Sequence, residues 1–172
     1  MNASILFRGL HAEIQDSYLL YTRVLTNPPL FGVVKIDIID ENDQIPTFDI
    51  RSITLSVLEN EQGNRTIGKI QAYDLDILPE NNAIRYYSSG HLNSAEVTAL
   101  FRVEPDGTIW TNAVFGPNNN NQSSYRLFVT AANPKLLWNT PNNASEDFQI
   151  DIQVISANQH RPGKNYLVLK IK

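Results

Sequence analysis

The chain has 172 residues, 42% of them hydrophobic and 19% charged, enough to bury the core of one full domain with part of another. A net charge of -4 and a pI near 5.3 give no basic face for nucleic acid or anionic lipid, yet leave room for cations held by acidic clusters. The lack of cysteine excludes disulfides, thiolate zinc sites and cysteine nucleophiles, and no apolar run reaches the roughly 18 residues of a membrane helix.

In chain order, the apolar part after Met1 is too short for a signal peptide, so a secreted form of this chain is expected to be an excerpt. "DSYLLYTRVL" and "FGVVKIDII" alternate with period two and read as strands joined by the proline-broken "TNPPL". "SITLSVLE" places Ile53, Leu55 and Val57 inward, "TIGKIQAYD" follows with Ile67 and Ile70, and "AIRYYSS" with Ile84 and Tyr86. "NSAEVTAL" fits one or two helical turns capped by Asn93 or Ser94. "ALFRVEPDGTIWT" then makes a strand, a turn at Pro105–Gly107 and a return strand, and "SYRLFVTAA" and "DFQIDIQVI" complete seven short strands. That pattern predicts an all-β, seven-stranded antiparallel sandwich of the Greek-key, immunoglobulin-like kind over 48–157.

The sequence also repeats. Tyr18 to Pro46 and Tyr125 to Pro162 share the order tyrosine, strand, Asn-Pro, strand, polar knot, proline, at an offset close to the ~100 residues of one sandwich. Tandem modules are therefore expected: 1–39 as the tail of one, 40–47 as a linker, 48–157 as a complete module, and 158–172 as a degenerate linker and the start of another. Four sequons, at Asn2, Asn64, Asn121 and Asn143, would accept glycans in a secretory pathway.

The linker "DENDQIPTF" crowds Asp40, Glu41, Asn42 and Asp43, while only Lys35 and Arg51 stand nearby to balance the acids. A hard divalent cation, which takes six to eight oxygens, would match such a set. The spacing is not that of an EF-hand, because Ile45 and Arg51 occupy the positions that need glycine and glutamate. Ligands must then converge from distant segments, and Asp74 and Asp76 in "AYDLDILPENN", two apart at a strand end, offer a second oxygen cluster.

At this point the motifs resemble a known family. "DENDQIPTF" is similar to the cadherin inter-repeat linker Asp-x-Asn-Asp-Asn-x-Pro-x-Phe, departing at Gln44. "VLENEQG" with Glu59, "AYDLD", "NNAIRYYS", "FRVEPDGTI" and "YRLFVTAAN" look like further cadherin-repeat motifs in the family's order. The resemblance implies extracellular rods clamped by calcium between repeats. Carried over, Asp43 would bridge two ions and Asn42 would give its side-chain oxygen to a third, with backbone carbonyls from Glu41 and Gln44. Asp74 and Asp76 would be carboxylate ligands and Asn81 a carbonyl donor. Asp40 matches the first motif position, and Asn133 stands where the family has aspartate. Upstream, "LHAE" keeps Glu13 but has His11 for the family's aspartate, so the outermost ion is expected to be weak or missing. At the second joint, "SANQHRP" (156–162) has no carboxylate and "FGPN" replaces the acidic upstream motif, leaving only Glu59. A calcium-free joint is expected there.

The resemblance further implies cell–cell adhesion, with other cadherin repeats as partners in cis or trans, in the cell-surface ectodomain of a single-pass membrane protein. The alternative is a secreted carbohydrate-binding β-sandwich with structural calcium, which would not need the tandem offset. Catalysis is disfavoured: His11, His91 and His160 lie in turns, and "SSGH" (Ser88–His91) reads as an exposed polar turn. Trp110 and Trp138 read as packing and loop aromatics rather than a sugar platform.

Overall fold

A computed structural model describes residues 10–116, 122–134 and 144–156. The joint at 156–162, beyond Ser156, lies outside the described residues, as do Asn2, Asn121, Asn143, Trp138 and His160.

The chain opens with an antiparallel hairpin of β1 (Ser17–Val24) and β2 (Leu30–Asp37). A sandwich follows, its first sheet ordered β3 (Ser52–Leu58), β9 (Phe148–Ile155), β8 (Ser124–Ala132) and β5 (Arg85–Ser88). The second sheet is β4 (Arg65–Lys69), β7 (Thr108–Thr111) and β6 (Phe101–Val103). These are the seven strands expected, and Ser94 caps the short α1 (Ala95–Leu100) by accepting a bond from the Val97 N–H. Asn93, the other candidate cap, instead exchanges two bonds with the Phe128 backbone.

Alternation in the sequence becomes burial. Tyr125, Leu127 and Val129 of β8 face Ile152, Ile150 and Phe148 of β9 in register, Ala131 faces Tyr86 of β5, and all are buried. Across the sandwich stand Phe101, Ile109 and Ile70. At one end Phe101 stacks on Phe115 at 5.7 Å and meets Tyr125 edge-on at 5.5 Å. At the linker end Phe48 stacks on Phe148 at 4.4 Å, so the residue closing the linker motif also closes the core.

One inward pair depends on an irregularity in its strand, and one pairing departs from the sequence reading. Ile67 and Ile70 sit three apart, a spacing that would place them on opposite faces of a regular strand, but a bulge between Thr66 and Gly68 lets both pack on the core. The sandwich is also not wholly antiparallel, because β3 and β9 pair in parallel, Ser52 opposite Gln149 through Leu58 opposite Ile155. Parallel neighbours cannot be joined by a tight turn, and these two are the first and last strands, with the whole sandwich between them. Both run away from the linker, so the chain enters at one pole and leaves at the other.

Tyr86 ties the sheets to the linker end. Its hydroxyl accepts a 2.6 Å bond from the buried Ala72 N–H, and its ring lies over Gly107, whose φ of +85° and contact with the Ile70 carbonyl leave no room for a side chain. Tyr86→Phe keeps the packing and orphans that N–H, so it is expected to lower unfolding free energy by about 1–3 kcal/mol in urea titration. An unchanged midpoint would show that water replaces the hydroxyl.

Candidate metal centre

Three segments meet at the linker end. Thr47 and Tyr73 exchange backbone hydrogen bonds of 2.8 and 2.9 Å, which sets the linker beside the 74–82 loop. The third is a turn in which the Ile14 and Gln15 N–H groups both donate to the His11 carbonyl. Buried Ala12 anchors that turn.

Asp40 staples linker to loop. Its carboxylate accepts bonds from Leu78 N–H (2.9 Å), Ile77 N–H (3.2 Å) and Asn81 Nδ2 (2.8 Å). Desolvation works to raise its pKa, but these donors together hold it below the ordinary carboxylate value. Gln44 completes the junction, its N–H donating to Asp76 Oδ1 at 3.3 Å and its side-chain amide to Asp43 Oδ1 at 2.8 Å. The Glu41 carbonyl accepts the Asp43 N–H at 2.8 Å.

The other acids are less satisfied. Asp76 is only 3% exposed; one of its carboxylate oxygens takes the Gln44 bond, and Oδ2 has no hydrogen-bond partner. Asp74 Oδ1 accepts the Asp76 N–H at 3.0 Å, but its Oδ2 is likewise buried and unpartnered, as is Asn42 Oδ1. Burial, followed by the charge of Asp74, pushes the Asp76 pKa up to about 6, and burial raises that of Asp74. Carboxylate oxygens of Glu13, Asp40 and Asp76 lie within 4.8 Å of one another. At that spacing two charges repel by about 3 kcal/mol at an effective dielectric of 20. Among the described residues no lysine or arginine forms an ion pair with any of these acids; Lys35 pairs with Asp37 instead.

The sequence-predicted residues thus converge. Glu13, Asp40, Asp43 and Asp76 enter clusters with metal-ligand spacing, while Asn42, Gln44 and Asp74 stand beside them. Asn81 and Asn133 are drawn to the same end: Asn133, 3% exposed, donates its amide to the Glu80 and Asn81 carbonyls. Asn82, which no motif singled out, donates to the Asp76 carbonyl at 3.1 Å and steadies the loop. His11 groups with Glu13 and Asp43.

Elsewhere, Asn64 sits exposed in a turn at a φ of 58°. Arg102 covers the Trp110 ring at 4.4 Å, leaving it a packing aromatic. "SSGH" is not an exposed polar turn throughout. Ser89 is 3% exposed, its Oγ lies 3.1 Å from His91 Nδ1, and His91 Nε2 lies 3.3 Å from Asp147. A hydroxyl so enclosed is not open to an acyl substrate, and the trio ties the 88–93 loop to the approach to β9.

No family model matches the chain. Human protocadherin gamma-C4 is 30% identical over 132 residues, 74% of this chain and 14% of that protein. Mouse cadherin-23 is 28% identical over 162 residues, 90% of this chain and 4% of its own length. The chain therefore spans a small part of the relatives it matches. Mouse protocadherin-24 EC1-3 superposes with a TM-score of 0.72 at 22% identity, covering 86% of this chain and 47% of that one. Mouse cadherin-23 EC22-24 does so at 0.65 and 22%, covering 87% and 45%. With the linker motif, the two-sheet sandwich and the convergence of acids at its entry pole, these likenesses establish that the chain belongs to the cadherin superfamily, as an extracellular cadherin repeat.

Proposed function

We propose that the chain is a calcium-clamped segment of an adhesion ectodomain, stiffened at the 40–48 linker and free of calcium at the 156–162 joint. The observation that carries this reading is the buried, unpartnered Oδ2 of Asp76, supported by the matching oxygens of Asp74 and Asn42. Hard oxygen donors with no internal cation are what calcium requires. Glu13, Asp43, Asp74 and Asp76 would supply carboxylates, with Asn42, Glu41, Gln44, Asn81 and Asn133 offering amide or carbonyl oxygens. Asp40 already spends its carboxylate on three donors and holds the frame. Calcium, when bound, would neutralise the cluster and lock the linker to the 74–82 loop. The partners would be other cadherin repeats, in cis or trans.

Calorimetric titration of the EGTA-stripped chain tests this. Saturable calcium binding is expected, tight on the side of the Asp74–Asp76 loop and weaker beside His11. At a calcium concentration near 100 Kd the fold gains about 2.7 kcal/mol, a rise of roughly 5–10 °C in Tm for a chain of this size. Absence of saturable binding, or equal tight binding at every ion, rejects the reading.

A further inference from the structure

We propose that His11, Glu13 and Asp43 form a site for a borderline divalent cation of the zinc class at the upstream edge of the linker. Their donor atoms all lie within 4.8 Å of one another. The arrangement is built locally: the turn closed by Ile14 and Gln15 on the His11 carbonyl, with Ala12 buried between, brings residues 11 and 13 to one side. From the linker, Asp43 is oriented by the amide of Gln44, the kind of outer support that metal-ligating carboxylates use.

Two features favour zinc over calcium here. His11 Nδ1 lies 3.7 Å from Glu13 Oε2, too long for a hydrogen bond. It is close to the ~3.4 Å that separates two donors on one tetrahedral ion with bonds of ~2.0–2.1 Å. The donor set is one imidazole nitrogen and two carboxylates, and imidazole suits zinc while adding little to a calcium shell. Three protein ligands with a water in the fourth position make an ordinary open zinc site. Beside it, the buried unpartnered oxygen of Asp76 belongs to the grouping that shares Glu13. The two oxygens of the Glu13 carboxylate could therefore serve both positions. The zinc site shares Glu13 and Asp43 with the calcium reading, so the two ions would compete there, but its donor set of His11, Glu13 and Asp43 does not rest on that reading.

The test is titration of the whole chain with Zn²⁺ in calcium-free buffer, followed by calorimetry and by NMR of the histidine ring protons. One equivalent is expected to bind and to shift the His11 ring. His11→Ala should weaken binding at least about tenfold, the least that loss of even an outer-shell partner costs, while His91→Ala and His160→Ala leave it unchanged. His11→Asp, an all-oxygen variant, should lose zinc preference and gain calcium affinity, and it guards against a folding defect in the alanine variant. Zinc binding unchanged in His11→Ala, zinc shifting His91 or His160 instead, or no saturable zinc binding would each overturn the proposal. His11-dependent zinc binding in a chain that binds no calcium would sustain it and reject the calcium reading alone.

Discussion

Asp76→Asn is expected to stabilise the metal-free chain and weaken the calcium-loaded one. In the folded chain the Asp76 pKa is about 6, against 3.8 for the free side chain. The fold therefore holds a proton that the unfolded chain has released between those values. The stability tied to that proton is complete below about pH 4 and is lost as pH rises through 6. At pH 7 the buried charge costs roughly 2–3 kcal/mol. Asparagine removes the charge, keeps an oxygen for the Gln44 N–H, and presents an amide donor to the neighbouring Glu13 and Asp40 oxygens. In EGTA at pH 7 the variant's urea midpoint should exceed the parent's by the equivalent of about 2 kcal/mol, and the gap should close by pH 4. In saturating calcium the order should reverse, since the variant offers one carboxylate fewer. A variant less stable than the parent in EGTA would show that the carboxylate is satisfied without a cation. Calcium affinity in the parent should also fall as pH drops below about 6, because a proton and the ion compete for Asp76.

Much of this architecture was legible because alternation is a strong local signal. Ile53, Leu55 and Val57 read as one inward face, and all three pack on the core. The crowding of the linker acids was legible because turn geometry leaves their number unexplained, and the structure brings Asp40 within 4.8 Å of Glu13 and Asp76. What could not be read was whatever depends on pairing between distant segments. The parallel β3–β9 contact has no local signature, since its partners are separated by the whole sandwich. Ser89 looks like any turn serine until its N–H bonds the Phe128 carbonyl of β8 and His91 links its hydroxyl to Asp147. The role of Asp40 illustrates the same point: the motif marks it as an acid, but its use as a clamp comes from the N–H groups of residues 77 and 78, brought close by the Thr47–Tyr73 bridge.

The entry and exit poles have different chemistry, and this follows from the strand directions. Because β3 and β9 run the same way, the acids of the linker and of the 74–82 loop gather at the entry pole, while the chain leaves β9 toward a segment without carboxylates. A cation can then stiffen one pole without touching the other. Fold and site are correspondingly separable: the aromatic cluster of Phe101, Phe115 and Tyr125 lies apart from Phe48, which closes the core under the linker.

Phe101→Ala is expected to test that separation. The ring is 1% exposed, in contact with both Phe115 and Tyr125, and its removal takes away apolar surface and leaves a cavity in a sheet of only three strands. Such truncations cost about 3–5 kcal/mol, a drop of roughly 6–20 °C in Tm for a chain of this size. Where the variant still folds, at low temperature, its calcium stoichiometry and affinity should match the parent's, because no linker ligand packs on Phe101. The calcium-induced rise in unfolding free energy should also keep its size, since it is set by ligand concentration relative to Kd. A variant that folds, by circular dichroism, but binds calcium at least tenfold more weakly would show that the core holds the linker ligands in place. The two poles would then be one cooperative unit, and the cation site a property of the whole sandwich rather than of its entry end.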